Sequence, residues 1–289
     1  MSSTDKTSLG DRMKSYEAPS TGRKAFKGQP LVVRLDGKSF HTWTKGLKRP
    51  YDQRLSDLMV RVTKALVDCF QAKVGYTQSD EITLVWYVQP HESAEYPFDG
   101  RFQKLESLTA AYATAVFNAQ AAGDFFGEPQ GERLALFDSR AFVVPSIKEA
   151  YHAILWRQQD ATKNAISMAA HTYFSHKSLQ GKHGNEMQEM LFSEKGINFD
   201  DYPPFFKRGT FVKRMKVEKV LEDWEMEAIP EAHRPSGPVT RTVVKEFDCW
   251  LSKEEDPIGV LFGDVDPNRI KWPEPLDDDN DGGALPYRF

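Results

Sequence analysis

The chain is poor in cysteine and in long apolar runs. Only Cys69 and Cys249 occur among 289 residues, far apart in sequence. A disulfide-stapled scaffold is therefore not expected, and a reducing, cytoplasmic setting fits. No apolar stretch approaches the roughly 18 residues that a membrane span needs. The first residues, Met1-Ser2-Ser3-Thr4-Asp5-Lys6, carry no apolar h-region, so no secretory signal is read. Excess positive charge is missing too. The formal net charge is −4, which argues against a bulk nucleic-acid binder. Phosphate contacts need only a local patch, so RNA stays open. P-loop and dinucleotide glycine fingerprints, nucleophile elbows and His-Glu-x-x-His spacing do not occur, and no internal repeat is visible.

What remains is a chain able to build a core, with 40% hydrophobic and 12% aromatic residues. Residues 1–30 are polar, with a short helix near Arg12–Tyr16. Leu31-Val32-Val33-Arg34-Leu35 is a strand stopped by Asp36-Gly37. Asp52 can cap a helix in which Leu55, Leu58, Met59, Val62, Leu66, Cys69 and Phe70 recur at three- and four-residue steps, placing Cys69 in the core. Val74–Gln78 and Ile82–Val88 read as strands joined by a tight turn at Ser79-Asp80-Glu81. Phe102, Leu105, Leu108, Tyr112, Ala115 and Val116 give a second amphipathic helix. Leu134–Phe137 and Ala141–Val144 form a further strand, interrupted by Asp138-Ser139-Arg140.

The order strand, helix, strand, strand, helix, strand is the ferredoxin-like pattern of polymerase palms. The fold class is α+β, an antiparallel sheet with helices packed on one face, followed by a helical second half. Helices are expected over Tyr151–Lys177 and Glu186–Glu194, a strand pair or extended arm over Gly209–Lys219, and a strand over Val239–Phe247. The expected organisation is a catalytic domain over 1–215, with a palm core at about 31–145 and a helical part at about 150–215. An extension over 216–289 ends in an acidic, flexible tail at Pro273–Gly283.

In this topology the first strand and the central hairpin are neighbours, so Asp36 and Asp80 project from one sheet edge. Paired carboxylates there can hold two divalent ions against nucleotide phosphates. Gly37 allows close backbone approach, and the amides of residues 37–41 can cradle phosphate oxygens. Taken singly, Asp36-Gly37 is a turn and Asp80-Glu81 a hairpin tip; the joint topology favours the metal reading. Arg101, Lys104 and Ser107 share one face at a helix start, where anions are favoured. Arg157, Asp160 and Asn164 cluster as a surface network by spacing alone. Two basic stretches, one of Arg23, Lys24, Lys27, Lys45, Lys48 and Arg49 and one of Lys207, Arg208, Lys213, Arg214, Lys216 and Lys219, read equally as local phosphate patches or as solvated surface. Asp277, Asp279, Asp281 and Gly282 imitate an EF-hand, but the twelfth position is Arg288 rather than Glu. His171, His176 and His183 lack zinc spacing.

Several ordered segments resemble one family. Arg34-Leu35-Asp36-Gly37-Lys38-Ser39-Phe40-His41 and Gln78-Ser79-Asp80-Glu81 resemble the signatures of the tRNA-histidine guanylyltransferases. Phe137-Asp138-Ser139-Arg140, Trp156-Arg157-Gln158-Gln159-Asp160, Glu189-Met190-Leu191-Phe192-Ser193 and Lys207-Arg208-Gly209-Thr210 follow in the same order. The resemblance implies an enzyme that adds nucleotides 3′→5′ to the 5′ end and acceptor stem of tRNA. It implies two Mg²⁺ ions, with ATP and GTP or other NTPs as substrates. Asp36 and Asp80 become the metal ligands with the Gly37 carbonyl, and Glu81 a supporting catalytic carboxylate. Gly37, Lys38, Ser39, Phe40, His41 and Ser79 would contact the nucleotide. Arg101, Lys104, Ser107, Arg140, Arg157, Asn164, Lys207 and Arg208 are candidate phosphate or RNA contacts. A homotetramer is implied, and no membrane.

The eukaryotic enzymes carry a His-Ile-Asn-Asn run after the Trp-Arg-Gln segment. Here Thr162 replaces the histidine and only Asn164 aligns. The chain thus resembles the bacterial and phage members, which favour template-dependent tRNA 5′-end repair. Two other classes fit the same palm: a nucleotide cyclase, and a non-catalytic RNA- or nucleotide-binding module.

Overall fold

A computed structural model describes residues 8–122, 126 and 133–263. The acidic tail and the EF-hand-like segment lie outside the described residues. The helix expected near Arg12 is longer, running as α1 over Leu9–Thr21, because Ser8 caps it by accepting from the Asp11 N–H. β1 follows at Leu31–Gly37, then the short α2 at Phe40–Trp43 and α3 at Gln53–Cys69. β2 (Val74–Gln78) and β3 (Glu81–Trp86) form the central hairpin. α4 spans Phe102–Ala121 and β4 Phe137–Val143.

β4, β1, β3 and β2 lie in that order, antiparallel throughout, which is the expected palm topology. Strand alternation sends Leu31, Val33 and Leu35 toward α3 and α4, where all three are fully buried. α3 meets them with Leu58, Met59, Val62 and Leu66. Each buried leucine contributes about 2 kcal/mol.

Several side chains depart from their expected places. Cys69 is exposed at the end of α3, where Phe70 turns inward instead. On α4, Leu108 and Ala115 face solvent. The inward stripe is Phe102, Leu105, Thr109, Ala113 and Phe117, with the Thr109 hydroxyl satisfied by the Leu105 carbonyl and by Ser139. Asp138-Ser139-Arg140 does not interrupt β4 but lies within it. Asp138 and Arg140 point to the side that α4 leaves open and pair there at 3.1 Å. The outer edge of β4 is closed by α4 side chains. Glu106 accepts the Ala141 N–H at 2.9 Å, and Thr114 the Phe137 N–H at 3.1 Å.

The second half begins with α5 at Ile147–Tyr173, displaced from the expected Tyr151–Lys177. Ser146 caps its start through the Glu149 N–H, and extended backbone at Phe174 ends it. α6 (His176–Leu179), α7 (Gly184–Lys195) and α8 (Pro204–Arg208) follow. Leu179 of α6 and Leu191 of α7 pack with Ala165, Ala169 and Ala170 of α5. β5, at Thr210–Lys219, is no free arm. It pairs with β2, so the expected division between 215 and 216 falls inside this strand. After α9 (Asp223–Glu227), β6 (Val239–Phe247) pairs with β5 from Phe211 to Lys219, giving the order β4-β1-β3-β2-β5-β6. α10, at Pro257–Phe262, joins the first turns of α5 on the sheet face opposite α3 and α4. Val32, Val74, Tyr76, Val85 and Phe211 are buried there. The Lys213 amine is held in this layer by the carbonyls of Val260 and Gly263. No described helix is long and apolar enough to cross a membrane.

Candidate active site

The end of β1 and the β2–β3 turn are stitched together. Asp36 lies opposite Glu81 in the ladder, and the Gly37 N–H donates to the Asp80 carbonyl at 3.1 Å. Glycine is required at 37 because a side chain there would run into the Phe40 ring. Ser79, the first turn residue, takes a φ of 50°, and its hydroxyl donates to the Asp80 carboxylate at 3.0 Å. A non-glycine residue in this region signals a locally constrained turn.

Asp36 and Asp80 share the wall of a cavity of about 590 Å³, within the range of nucleotide-sized sites. The cavity runs from the hairpin tip between the 44–52 loop, the start of α3, the middle of α5 and α8. Tyr51 stands at one side with its ring 5.2 Å from Phe205 and 5.0 Å from Phe206. Lys48 and Arg49 bring positive charge to the same wall. Burial pushes the Asp80 carboxyl above the usual range. The Ser79 hydroxyl opposes the shift, and the neighbouring charges of Asp36 and Glu81 add to it.

A raised native pKa means that the folded chain holds this proton more tightly than the unfolded chain. Stability from this group is complete below the unfolded value of 3.8 and is lost as pH rises through the raised one. Asp80→Asn is therefore expected to raise the metal-free Tm at pH 7, with the gain vanishing near pH 4. Thermal melts at the two pH values check this.

Glu81 is buried and bound at both oxygens by Arg157, Nε to Oε1 and Nη2 to Oε2, each at 2.6 Å. Both of its oxygens are therefore committed to the guanidinium. Asp36, Asp80 and backbone oxygen remain as hard donors, a set that suits Mg²⁺ with water and phosphate completing its shell. No cluster of three or more His, Cys, Asp or Glu forms a closed metal cage among the described residues.

The other expected contacts scatter. Phe40 is buried against Trp43, Phe117 and Phe137, so its ring is not open to a nucleotide. The Lys38 N–H is held by the Leu136 carbonyl at 2.8 Å and does not join the expected phosphate cradle. Ser39, the N-cap of α2, and exposed His41 are not among the residues that line the cavity. Asn164 lines the cavity and donates to Asp160. Arg140 sits on the open face of β4, paired with Asp138.

Arg101, Lys104 and Ser107 lie away from the carboxylates. Thr114 of α4 is level with Phe137, the partner of Gly37. Arg101 is therefore roughly 20 Å farther along the helix, and Lys104 and Ser107 lie between. Lys207 is engaged by Asp200, its amine 2.5 Å from the backbone carbonyl, and Arg208 by Asp248. Neither lines the cavity that holds the two carboxylates. Lys48, Arg49, Tyr51, Phe205 and Phe206 are the wall residues that sequence reasoning missed. The available signal was aromatic residues directly after prolines, at Pro50-Tyr51 and Pro204-Phe205-Phe206, outside any helical or strand period.

A ferredoxin-like palm with two carboxylates at adjoining strand ends, open to a nucleotide-sized cavity, defines a nucleotidyl-transferring palm protein. The comparisons with known proteins agree. A family model described as Thg1, tRNA(His) guanylyltransferase, matches residues 10–145. The tRNA(His) guanylyltransferase of Saccharomyces cerevisiae is 31% identical over 199 residues, covering 64% of this chain and 82% of that protein. A bacterial Thg1-like protein solved in complex with ATP is 35% identical, with a TM-score of 0.71 over 88% of this chain and 99% of that one. A bacterial Thg1-like protein in complex with GTP gives 33% identity and a TM-score of 0.62, covering 83% and 91%. The chain belongs to the tRNA(His) guanylyltransferase family and is a nucleotidyltransferase.

Proposed function

We propose that the chain is a Mg²⁺-dependent 3′→5′ nucleotidyltransferase acting on the 5′ end of tRNA, in template-dependent repair. The observation that carries this reading is the placement of Asp36 and Asp80 on one wall of a nucleotide-sized cavity. Burial raises the Asp80 pKa, the charges of Asp36 and Glu81 add to the shift, and a bound divalent ion would relieve both. Two bound ions, held by Asp36, Asp80 and the Gly37 carbonyl, would activate a hydroxyl and neutralise phosphate charge.

The rest falls to the chain. Tyr51, Phe205 and Phe206 exclude water from one side of the cavity, and Lys48 and Arg49 attract the triphosphate. Ser39, Phe40 and His41 offer backbone amides at the start of α2, and Ser79 its hydroxyl. Activation joins AMP from ATP to the RNA 5′ phosphate and releases pyrophosphate. The 3′ oxygen of GTP or another NTP then attacks that phosphorus, AMP leaves, and the hydroxyl proton passes to solvent. An RNA that already carries a 5′ triphosphate skips activation and releases pyrophosphate. Thr162 in place of the eukaryotic histidine, together with the likeness to bacterial Thg1-like proteins, supports repair over anticodon-guided addition of one G. A cytoplasmic homotetramer completes the reading.

The test is a 5′-extension assay with Mg²⁺, ATP and all four NTPs. One substrate is full-length tRNA(His), the other a tRNA lacking its first nucleotide. Templated filling of the truncated tRNA is expected. A single G added only to tRNA(His) would establish a maturation guanylyltransferase, and cyclic nucleotide without RNA extension would establish a cyclase.

A further inference from the structure

Three consecutive residues of α5 fasten the helix in place, two of them to the strands beside the two carboxylates. Arg157 makes the bidentate pair with Glu81, the residue directly after Asp80, and its Nη2 also reaches Asp160 at 3.1 Å. Both partners of the Arg157–Glu81 pair are largely out of water, with side chains 12% and 9% exposed. Trp156 lies with its ring 5.4 Å from the guanidinium of Arg34, which is on β1 two residues before Asp36. The Arg157 guanidinium lies 4.6 Å from the same ring. Gln158 faces the other way. Its amide donates to the Cys249 carbonyl at 2.8 Å and accepts the Leu251 N–H at 3.0 Å. One helical segment thus grips β1, the β2–β3 turn and the C-terminal segment, and α5 cannot roll without breaking one of these contacts.

Both Glu81 oxygens are engaged by the Arg157 guanidinium. Glu81 then acts through its neighbour. We infer that Arg157, through Glu81, and Trp156, through Arg34, are positioning residues that hold Asp80 and Asp36 at the spacing needed to share a divalent ion. This rests on the two-carboxylate reading of the site. It removes Arg157 from the phosphate contacts and Glu81 from the catalytic groups. It also accounts for the turn at Ser79: a backbone held in a sparsely populated conformation needs surroundings that over-determine it.

The sign of one measurement separates this from plain electrostatics. Arg157 is a cation beside two carboxylates, so neutralising it should tighten cation binding if charge alone mattered. If Arg157 positions the carboxylates, neutralising it weakens binding, because partners behind a ligand typically carry about 10- to 100-fold in metal affinity. The experiment titrates Mn²⁺ into the full-length chain without nucleotide and reads free Mn²⁺ by electron paramagnetic resonance. Wild type, Arg157→Gln, Arg157→Lys, Trp156→Leu, Asp36→Ala and Asp80→Ala are compared. The expected result is a Kd at least about tenfold weaker in Arg157→Gln, with smaller losses in Arg157→Lys and Trp156→Leu.

Equal or tighter Mn²⁺ binding by Arg157→Gln would overturn the inference. Should that variant fail to fold, Arg157→Lys decides in its place: it keeps the charge but loses the bidentate geometry, so an unchanged Kd overturns the inference equally. Failure of the underlying site reading looks different. Asp36→Ala and Asp80→Ala would then bind Mn²⁺ as wild type does.

Discussion

Asp36→Ala and Asp80→Ala each lower 5′-nucleotide addition by at least about 100-fold, with no loss of Tm. Residues behind a metal ligand already carry up to about 100-fold, so removing a direct ligand is expected to cost at least as much. The fold does not suffer, because both side chains face the cavity rather than the core. Removing Asp80 also relieves its repulsion with Asp36 and Glu81. Single-turnover rates on a 5′-truncated tRNA, measured beside thermal melts, check both halves. Retained activity in either variant sinks the metal assignment. A large drop in Tm would instead make the residue structural.

Gly209→Ala produces the largest effect on folding. Gly209 joins α8 to β5 with φ 75° and ψ −175°, a region essentially confined to glycine, and occupying it with alanine costs about 1–3 kcal/mol. The added methyl has no space. It would sit 2.5 Å from the Thr77 carbonyl oxygen and 2.7 Å from the Tyr76 ring. Tyr76 cannot yield, since it is buried and its hydroxyl donates to the Arg208 carbonyl at 2.9 Å. Overpacking adds about 1–3 kcal/mol, so the total is a large part of a domain's usual margin. Urea unfolding followed by fluorescence reads this as a lower midpoint at unchanged slope. A midpoint within error of wild type would show that β2 and β5 can separate at this point.

The central part of the site was legible because its residues obey local rules. β1 and the hairpin are short strands with clear ends, and Gly37 and Ser79-Asp80 mark where the chain must turn. Sequence order alone then makes β1 and β3 neighbours. The surroundings of the basic residues were not legible, for a different reason. Arg101, Lys104 and Ser107 do share a helix face, but β3 runs away from the carboxylates, so a helix entered from its end begins at the far side of the sheet. Lys207 and Arg208 look like free cations until their acidic partners arrive, Asp200 from nearby and Asp248 from 40 positions away. Arg157 presents the same problem, since Glu81 is 76 positions distant. Pairing at such range leaves no periodic trace in a sequence. The place of β5 was hidden for the same reason: Val212 and Phe211 show that a strand exists, but not that Tyr76 and Gly75 lie beside it.

The hydrogen bonds that the outer N–H groups of β4 donate to α4 give the molecule a direction of growth. A strand arriving on that side would have to displace Glu106 and Thr114 before it could pair. β6, by contrast, has no neighbour on its outer side among the described residues. New sheet is therefore added beyond β2, as β5 and β6 have been, while β1 stays one strand in from a sealed border. Material appended to this architecture lengthens it sideways and leaves both neighbours of the Asp36 strand unchanged. The chemistry can remain constant while the far flank changes in size.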